Sequence, residues 1–299
     1  RLASDTDILS RVAIERYLGE DAGRFHLQVF DSVESTNDIA RTWARNDSPE
    51  FTTVIAGNQT AGRGRRGRLF FSPADTGLYM SILVRPHLDA RDSSAITAIA
   101  AVAVAEAIEE VSAQDARIKW VNDVYVDGRK VCGILTEGSV SVEDGRLEYA
   151  IVGIGINAYE PEGGFPPDIA AVAGAVFSRT SAAPAVPAEG GACAAPGEGG
   201  APVVSAAGIS AGPRDARNQL AASVLERFAS YYEHLGDGTY VEPYRERSFL
   251  PGLAVEVAKG SSTRRAQVLS VDEQLRLHVR YDDGTEEALD SGEVSVHTR

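Results

Sequence analysis

The chain has 299 residues, 43% hydrophobic and 24% charged, enough for one large core plus a small companion domain. Its formal net charge of −14 argues against general attraction to nucleic acid or anionic membranes, and no stretch approaches the roughly 18 consecutive apolar residues of a membrane helix. Two widely spaced cysteines, Cys132 and Cys193, exclude a disulfide framework or zinc site, and with no basic-then-apolar leader the expected setting is cytoplasmic.

Residues 1–25 read as an N-terminal helical segment, with a short amphipathic helix over 8–18 that places Ile8, Val12 and Ile14 on or near one face. Alternation over 26–33 predicts a strand, after which Ser35 or Thr36 caps a helix carrying Ile39, Ala40, Trp43 and Ala44. Residues 52–56 read as a strand leading into a Gly/Arg loop at 61–68, and 78–84 as a strand that stops at Pro86. The longest helix spans 92–111, with Asp92 and Ser93 as caps and an alanine-rich buried run at 98–107. Strands follow at 117–120, 131–136 and 148–156, the Asp127-Gly128 pair marking a hairpin between the first two. Strands joined by hairpins and separated by long helices predict an α+β fold with a mixed or antiparallel sheet.

From 178 to 213 the chain turns to Ala, Gly, Pro and Ser, which predicts a disordered insertion. A helix over 216–235 resumes the pattern through Leu220, Val224, Leu225, Phe228 and Tyr232. After Tyr244, short alternating runs containing Val255, Val257, Val268, Leu275, Leu277, Val279, Tyr281, Leu289, Val294 and Val296 predict a small β-barrel module. The expected divisions are therefore 1–25, a main domain over 26–246 and a C-terminal module over 247–299.

Four segments carry candidate chemistry. The run from Asn58 to Arg68 alternates glycines with Arg63, Arg65, Arg66 and Arg68, so its backbone can fold closely over a ligand while guanidinium groups pair with phosphate or carboxylate. Its ordinary alternatives are a solvated basic loop or an RNA patch, but the rest of the chain is acidic and no aromatics interleave the run. Lys119-Trp120-Val121-Asn122-Asp123 and the following Lys130 place cations, an amide and a carboxylate near a strand end. That set suits neutralising a transferring phosphoryl group, with Asp123 holding a metal or orienting a nucleophile; the alternative is a polar hairpin. Gly153 and Gly155 interrupt an apolar strand, as close approach to the backbone requires, although tight packing explains them equally well. Ser35-Thr36-Asn37 at a helix start can bind a polar head group or merely cap the helix.

Taken together and in this order, these segments resemble the biotin protein ligase family. The likeness rests on Glu34-Ser35-Thr36-Asn37, Gln59 with Gly62 to Arg68, Lys119 to Asp123, Lys130 with Gly133-Ile134-Leu135, and Gly153-Ile154-Gly155-Ile156-Asn157. It is strong over residues 27–160 and looser in the C-terminal module. The resemblance implies a class II synthetase-like catalytic domain followed by a small SH3-like barrel. It also implies activation of biotin on ATP with Mg²⁺, then transfer to a lysine of the biotin carboxyl carrier domain of a biotin-dependent carboxylase, with no nucleic-acid or membrane partner.

By position, Ser35, Thr36, Asn37, Gln59, Arg63, Gly64, Arg65, Lys130, Gly153 and Gly155 are the expected biotin-binding set. Arg65, Arg66, Arg68, Lys119, Asn122 and Lys130 are expected at the ATP phosphates or adenine. Lys130, Arg65, Lys119 and Asp123 are the expected catalytic residues, Asp123 also serving the metal. Some relatives add an N-terminal helix-turn-helix and repress biotin synthesis; the segment before His26 is too short for one, so a ligase alone is expected. A lipoate ligase, a non-catalytic biotin sensor and an RNA-binding protein are the competing readings.

Overall fold

The computed structural model describes residues 7–89, 93–177, 215–259, 262–290 and 293–296. The expected insertion at 178–213, Cys193 and Asp92 lie outside those residues. Seven strands form the main sheet: β1 (His26–Phe30), β2 (Thr52–Ala56), β3 (Gly77–Val84), β4 (Ala116–Lys119), β5 (Asp123–Val126), β6 (Arg129–Val140) and β7 (Leu147–Asn157). Their order is β1-β2-β3-β7-β6-β5-β4. β1 and β2 run parallel, and every other neighbouring pair is antiparallel, so the sheet is mixed as expected.

Helices cover both faces. On one side lie α1 (Arg11–Leu18), α3 (Ser94–Ser112) and α4 (Ala216–Glu233), sharing a core with Leu78, Met80 and Ile82 of β3 and Val152, Ile154 and Ile156 of β7. α3 is buried nearly all round, and its alanines at 98, 100, 101, 103, 105 and 107 are fully inaccessible. Small side chains there let sheet and helix pack closely at little cost in side-chain entropy. Arg227 of α4 ties to Glu106 and Glu110 of α3 at 2.9 and 3.1 Å. On the opposite face lies α2 (Thr36–Arg45), whose Ala40 and Ala44 pack on Val54, Leu83, Tyr149 and Ile151. A strand buried on both faces reads as continuously apolar rather than alternating, which β3 and β7 do.

Several expectations need correction. Ile8 and Val12 are 65% and 66% exposed while Ile14 is buried, because the helix begins only at Arg11 and turns Ile14 and Leu18 inward. Ser93 makes no side-chain capping bond; its backbone is already helical, whereas a capping residue needs an extended one. The Asp127-Gly128 turn joins β6 not to β4 but to the unforeseen short strand β5.

After α4 comes helix α5 (Val241–Arg247). The chain then runs against β4: Ser248 bridges Ile118, and the Phe249 N–H donates to the Ile118 carbonyl. Five strands follow, β8 (Ala254–Lys259), β9 (Ser262–Val271), β10 (Leu277–Tyr281), β11 (Glu286–Leu289) and β12 (Glu293–Val296). They form one antiparallel sheet ordered β11-β10-β9-β8-β12, matching the small all-β domain expected. Leu275, expected in a strand, sits instead in the β9–β10 turn with φ 61.

Candidate active site

Strand periodicity builds the site. On the α2 face, β3 presents Tyr79, Ser81 and Leu83, β7 presents Gly155, Gly153 and Ile151, and β6 presents Gly133, Leu135 and Glu137, in register across the sheet. Leu83 and Ile151 pack against Ala40 and Ala44 of α2, whereas β7 turns to glycine at 153 and 155, beside Asn37 and Phe70. The glycines floor a cavity of about 400 Å³. Each is required by a close neighbour: a Cβ on Gly153 would fall on Asn37 Oδ1, and one on Gly155 would stand 2.5 Å from the Phe70 ring.

One end of the cavity is a cluster of neutral hydrogen-bonding groups. Ser35 caps α2 by accepting from the Asp38 N–H at 3.4 Å, which fixes Thr36 and Asn37 on the first turn, both buried. Gln59 Oε1 accepts from the Thr36 N–H at 2.9 Å and lies 3.1 Å from Thr36 Oγ1. Gln59 Nε2 donates to Ser72 at 3.1 Å. Ser81 Oγ lies 2.7 Å from Thr36 Oγ1 and 2.6 Å from Asn37 Oδ1.

The other end is cationic. Arg65, Arg66, Arg68, Lys119 and Lys130 line it, against the single carboxylate of Asp123 among the described lining residues; Arg63 also lines the cavity, but its guanidinium lies on the Asn37 side. The Gly/Arg loop closes on itself through Gly64 N–H to Arg68 O (2.8 Å) and Phe70 N–H to Gly62 O (2.9 Å), with Arg66 left-handed at φ 57. Its root is pinned by Ala61 N–H to Glu34 O at 2.8 Å. Arg65 donates to Asn122 Oδ1 at 2.9 Å, and Asn122 Nδ2 donates to the Ile134 carbonyl at 2.9 Å. Lys130 pairs with Asp123 at 2.6 Å. The Arg63 guanidinium is engaged by Asp38 at 2.6 Å and approaches Glu137 at 3.5 Å. Trp120 walls the cavity while its indole N–H donates to the Leu275 carbonyl at 2.7 Å.

Residues 29–157 match the model of the Biotin/lipoate A/B protein ligase family. Over 148 residues the chain is 40% identical to the bifunctional ligase/repressor BirA of Bacillus subtilis, covering 50% of this chain and 45% of that protein. It is 42% identical over 115 residues to the biotin–[acetyl-CoA-carboxylase] ligase of Paracoccus denitrificans, covering 37% and 46% of the two chains. The chain thus spans about half the length of the curated relatives it matches. A solved biotin protein ligase from Aquifex aeolicus, in complex with biotin and ATP, superposes with a TM-score of 0.66 at 22% identity, over 92% of this chain and 99% of that one. That is a likeness of fold.

All the site residues expected from the sequence meet in this one cavity. Two further groups there are poor nucleophiles. Burial drives the Cys132 thiol well above its ordinary value, Lys130 opposing the shift and Asp123 adding to it. Burial, with Asp123 again adding, pushes the Tyr125 hydroxyl up to about 12. Both stay protonated near neutrality.

Sequence reasoning missed Phe70, Ser81 and Glu137, and the apolar wall of Phe165, Ile169 and Val172. Glu137 was within reach, since Gly133, Leu135 and Glu137 share a face by strand alternation. So was Ser81, a polar residue inside an apolar strand. The wall at 165–172 lies in irregular chain with no period to read.

Proposed function

We propose that the chain is an ATP-dependent biotin protein ligase, forming biotinyl-AMP and then biotinylating a lysine of a biotin carboxyl carrier domain in the cytoplasm. The observation that carries this reading is the continuity of a neutral hydrogen-bonding cluster with a cationic channel in one cavity. Such a cavity suits a polar, uncharged ring on a chain ending in a carboxylate, with nucleotide phosphates beyond it. The five-membered dithiolane of lipoate has no N–H or C=O for Thr36, Asn37 and Gln59 to meet, so their burial favours biotin.

In the first step a biotin carboxylate oxygen attacks the α-phosphorus of ATP; an O–P bond forms, the α–β bridge breaks, and pyrophosphate leaves. Two anions must approach, so Lys130, Arg65, Arg68 and Lys119 supply the compensating charge in place. In the second step the carrier lysine amine attacks the acyl carbon, and the acyl–O bond breaks to release AMP. Asp123, the one carboxylate among the described lining residues, would orient the amine. Mg²⁺ is commonly held by one or two carboxylates plus substrate phosphates, which a single Asp123 beside a phosphate channel fits. When bound, it would neutralise phosphate charge. Phe165, Ile169 and Val172 offer an apolar wall against which the adenine would lie.

The test is streptavidin-detectable transfer to an apo carrier domain with ATP, Mg²⁺ and biotin, repeated with Lys130→Ala and with lipoate in place of biotin. Transfer that needs ATP and falls about 10²- to 10³-fold in the variant, the usual cost of losing one transition-state charge donor, supports the reading. Transfer of lipoate in preference to biotin overturns it, as does no transfer by folded protein to a competent carrier.

A further inference from the structure

The neutral end of the cavity is one hydrogen-bonded chain, and its far end is charged. Asn37 Nδ2 donates to Glu137 Oε2 at 2.7 Å, and the same oxygen takes Arg41 at 2.7 Å. Arg63 approaches the second oxygen at 3.5 Å, and both arginines also hold Asp38 at 2.6 Å. From Asn37 the chain continues through Ser81 and Thr36 to Gln59. Glu137 itself is not among the cavity-lining residues.

Counting protons along the chain shows what Glu137 decides. A carboxylate accepts and never donates, so Asn37 must turn its NH₂ outward and its oxygen toward Ser81. Ser81 has one proton, which goes to Asn37 Oδ1 over 2.6 Å, leaving a lone pair for Thr36. The Thr36 proton then goes to Ser81 over 2.7 Å rather than to Gln59 over 3.1 Å. Gln59 Oε1, already facing the Thr36 N–H, and Thr36 Oγ1 are left presenting lone pairs to the cavity. Without Glu137 the Asn37 amide is free to flip. Ser81 would then accept from Nδ2, and the Thr36 proton would be released toward the ligand.

We infer that Glu137 is a positioning residue that sets the direction of this chain, so that the cavity offers acceptors to a ligand ring bearing N–H donors. The inference rests on the proposed function for the identity of the ring. It assigns Glu137 a specificity role exercised through Asn37 and Ser81, without contact with the ligand.

The test compares affinities, by titration calorimetry, for biotin and for its cyclic carbamate analogue, in which one ring N–H is replaced by oxygen. The wild-type protein is expected to prefer biotin strongly, since the carbamate sets a lone pair against lone pairs. Glu137→Met, which removes the acceptor at similar volume, is expected to reduce that preference at least tenfold. Glu137→Gln, whose amide oxygen can still face Asn37 and Arg41, is expected to keep it within about threefold. Ser81→Ala cuts the chain at its middle and is expected to behave like Glu137→Met, which covers the case in which the methionine variant fails to fold. A merely structural role would weaken both ligands equally. An unchanged preference in Glu137→Met or in Ser81→Ala overturns the inference and leaves the ligase reading standing. Wild-type protein that binds neither compound overturns the ligase reading, and the inference with it.

Discussion

Substituting Gly155 by alanine tests whether the glycine floor exists for the ligand. Gly155 is held on both sides, by Tyr79 of β3 and Gly133 of β6, so its backbone cannot withdraw. The new Cβ would stand 2.5 Å from Phe70 Cε1, 2.7 Å from Cζ and 3.0 Å from Cδ1. Carbon atoms at rest sit about 3.5–4.0 Å apart, so the ring must retreat by about 1 Å. Phe70 also stands edge-on to Tyr79, with centroids 6.4 Å apart, which restricts the directions open to it. Overpacking of this kind costs about 1–3 kcal/mol. Where a bound ligand needs the ring in place, that corresponds to about 5- to 150-fold weaker binding.

Folding itself should change little. Alanine recovers about 0.5–1 kcal/mol of backbone entropy relative to glycine in a strand, and the ring can relax into the empty cavity. The assay is calorimetric affinity for biotin, with the melting temperature as control, in the wild-type, Gly155→Ala, Phe70→Ala and double variants. The expected coupling is that Gly155→Ala costs less than about threefold once Phe70 is gone. Biotin affinity within twofold of wild type in Gly155→Ala, or the same fold loss in both backgrounds, would show that Gly155 does not serve the ligand through Phe70.

Two other outcomes are expected. The Asp272 carboxyl lies below the usual carboxylate range: burial alone would raise it, but hydrogen bonds from His278 and Arg276 outweigh burial. Its stabilising contribution is therefore full above the unfolded value of about 3.9 and lost as pH falls through the folded one. Melting-temperature differences between wild type and Asp272→Asn should accordingly shrink below about pH 4, and a constant gap would contradict this. In the Gly/Arg loop, Arg63, Arg65, Arg66 and Arg68 are all trypsin sites, and closure over the adenylate should shield them. Cleavage within 63–68 is expected to slow when biotin and ATP are added together; equal cleavage with and without them argues against a closing loop.

The sequence was most legible where one local period governed. β2, β3, β7, α3 and α4 each carry a pattern set by their own burial, and they fall within a few residues of expectation. β5 escaped because four residues between a polar motif and a tight turn hold too little alternation to register. Ile8 and Val12 misled because an apolar spacing of four appears on either side of a helix, and only contact with α4 decides which side is buried. The site followed the same division. Arg65, Lys119, Lys130 and Gln59 announced themselves as motif residues. The Asn37–Glu137 and Asn122–Ile134 bonds, which join segments 100 and 12 residues apart, exist only after the sheet pairs.

The bond from Trp120 to the Leu275 carbonyl gives the small C-terminal module a place in the wall of the cavity. Leu275 occupies a left-handed turn organised by Asp272, which accepts from the Gln274 and Arg276 N–H groups at 3.0 and 2.8 Å. The indole therefore reads the shape of that turn from behind while facing the cavity in front. The sheet that carries the cavity and the small β module are thereby bound to one geometric tolerance. A transplanted β module of the same fold would have to offer a carbonyl at this one spot; otherwise a buried indole N–H would be stranded, at a cost of about 1–3 kcal/mol. The interchangeable-looking appendage is, at the scale of a single hydrogen bond, a matched part.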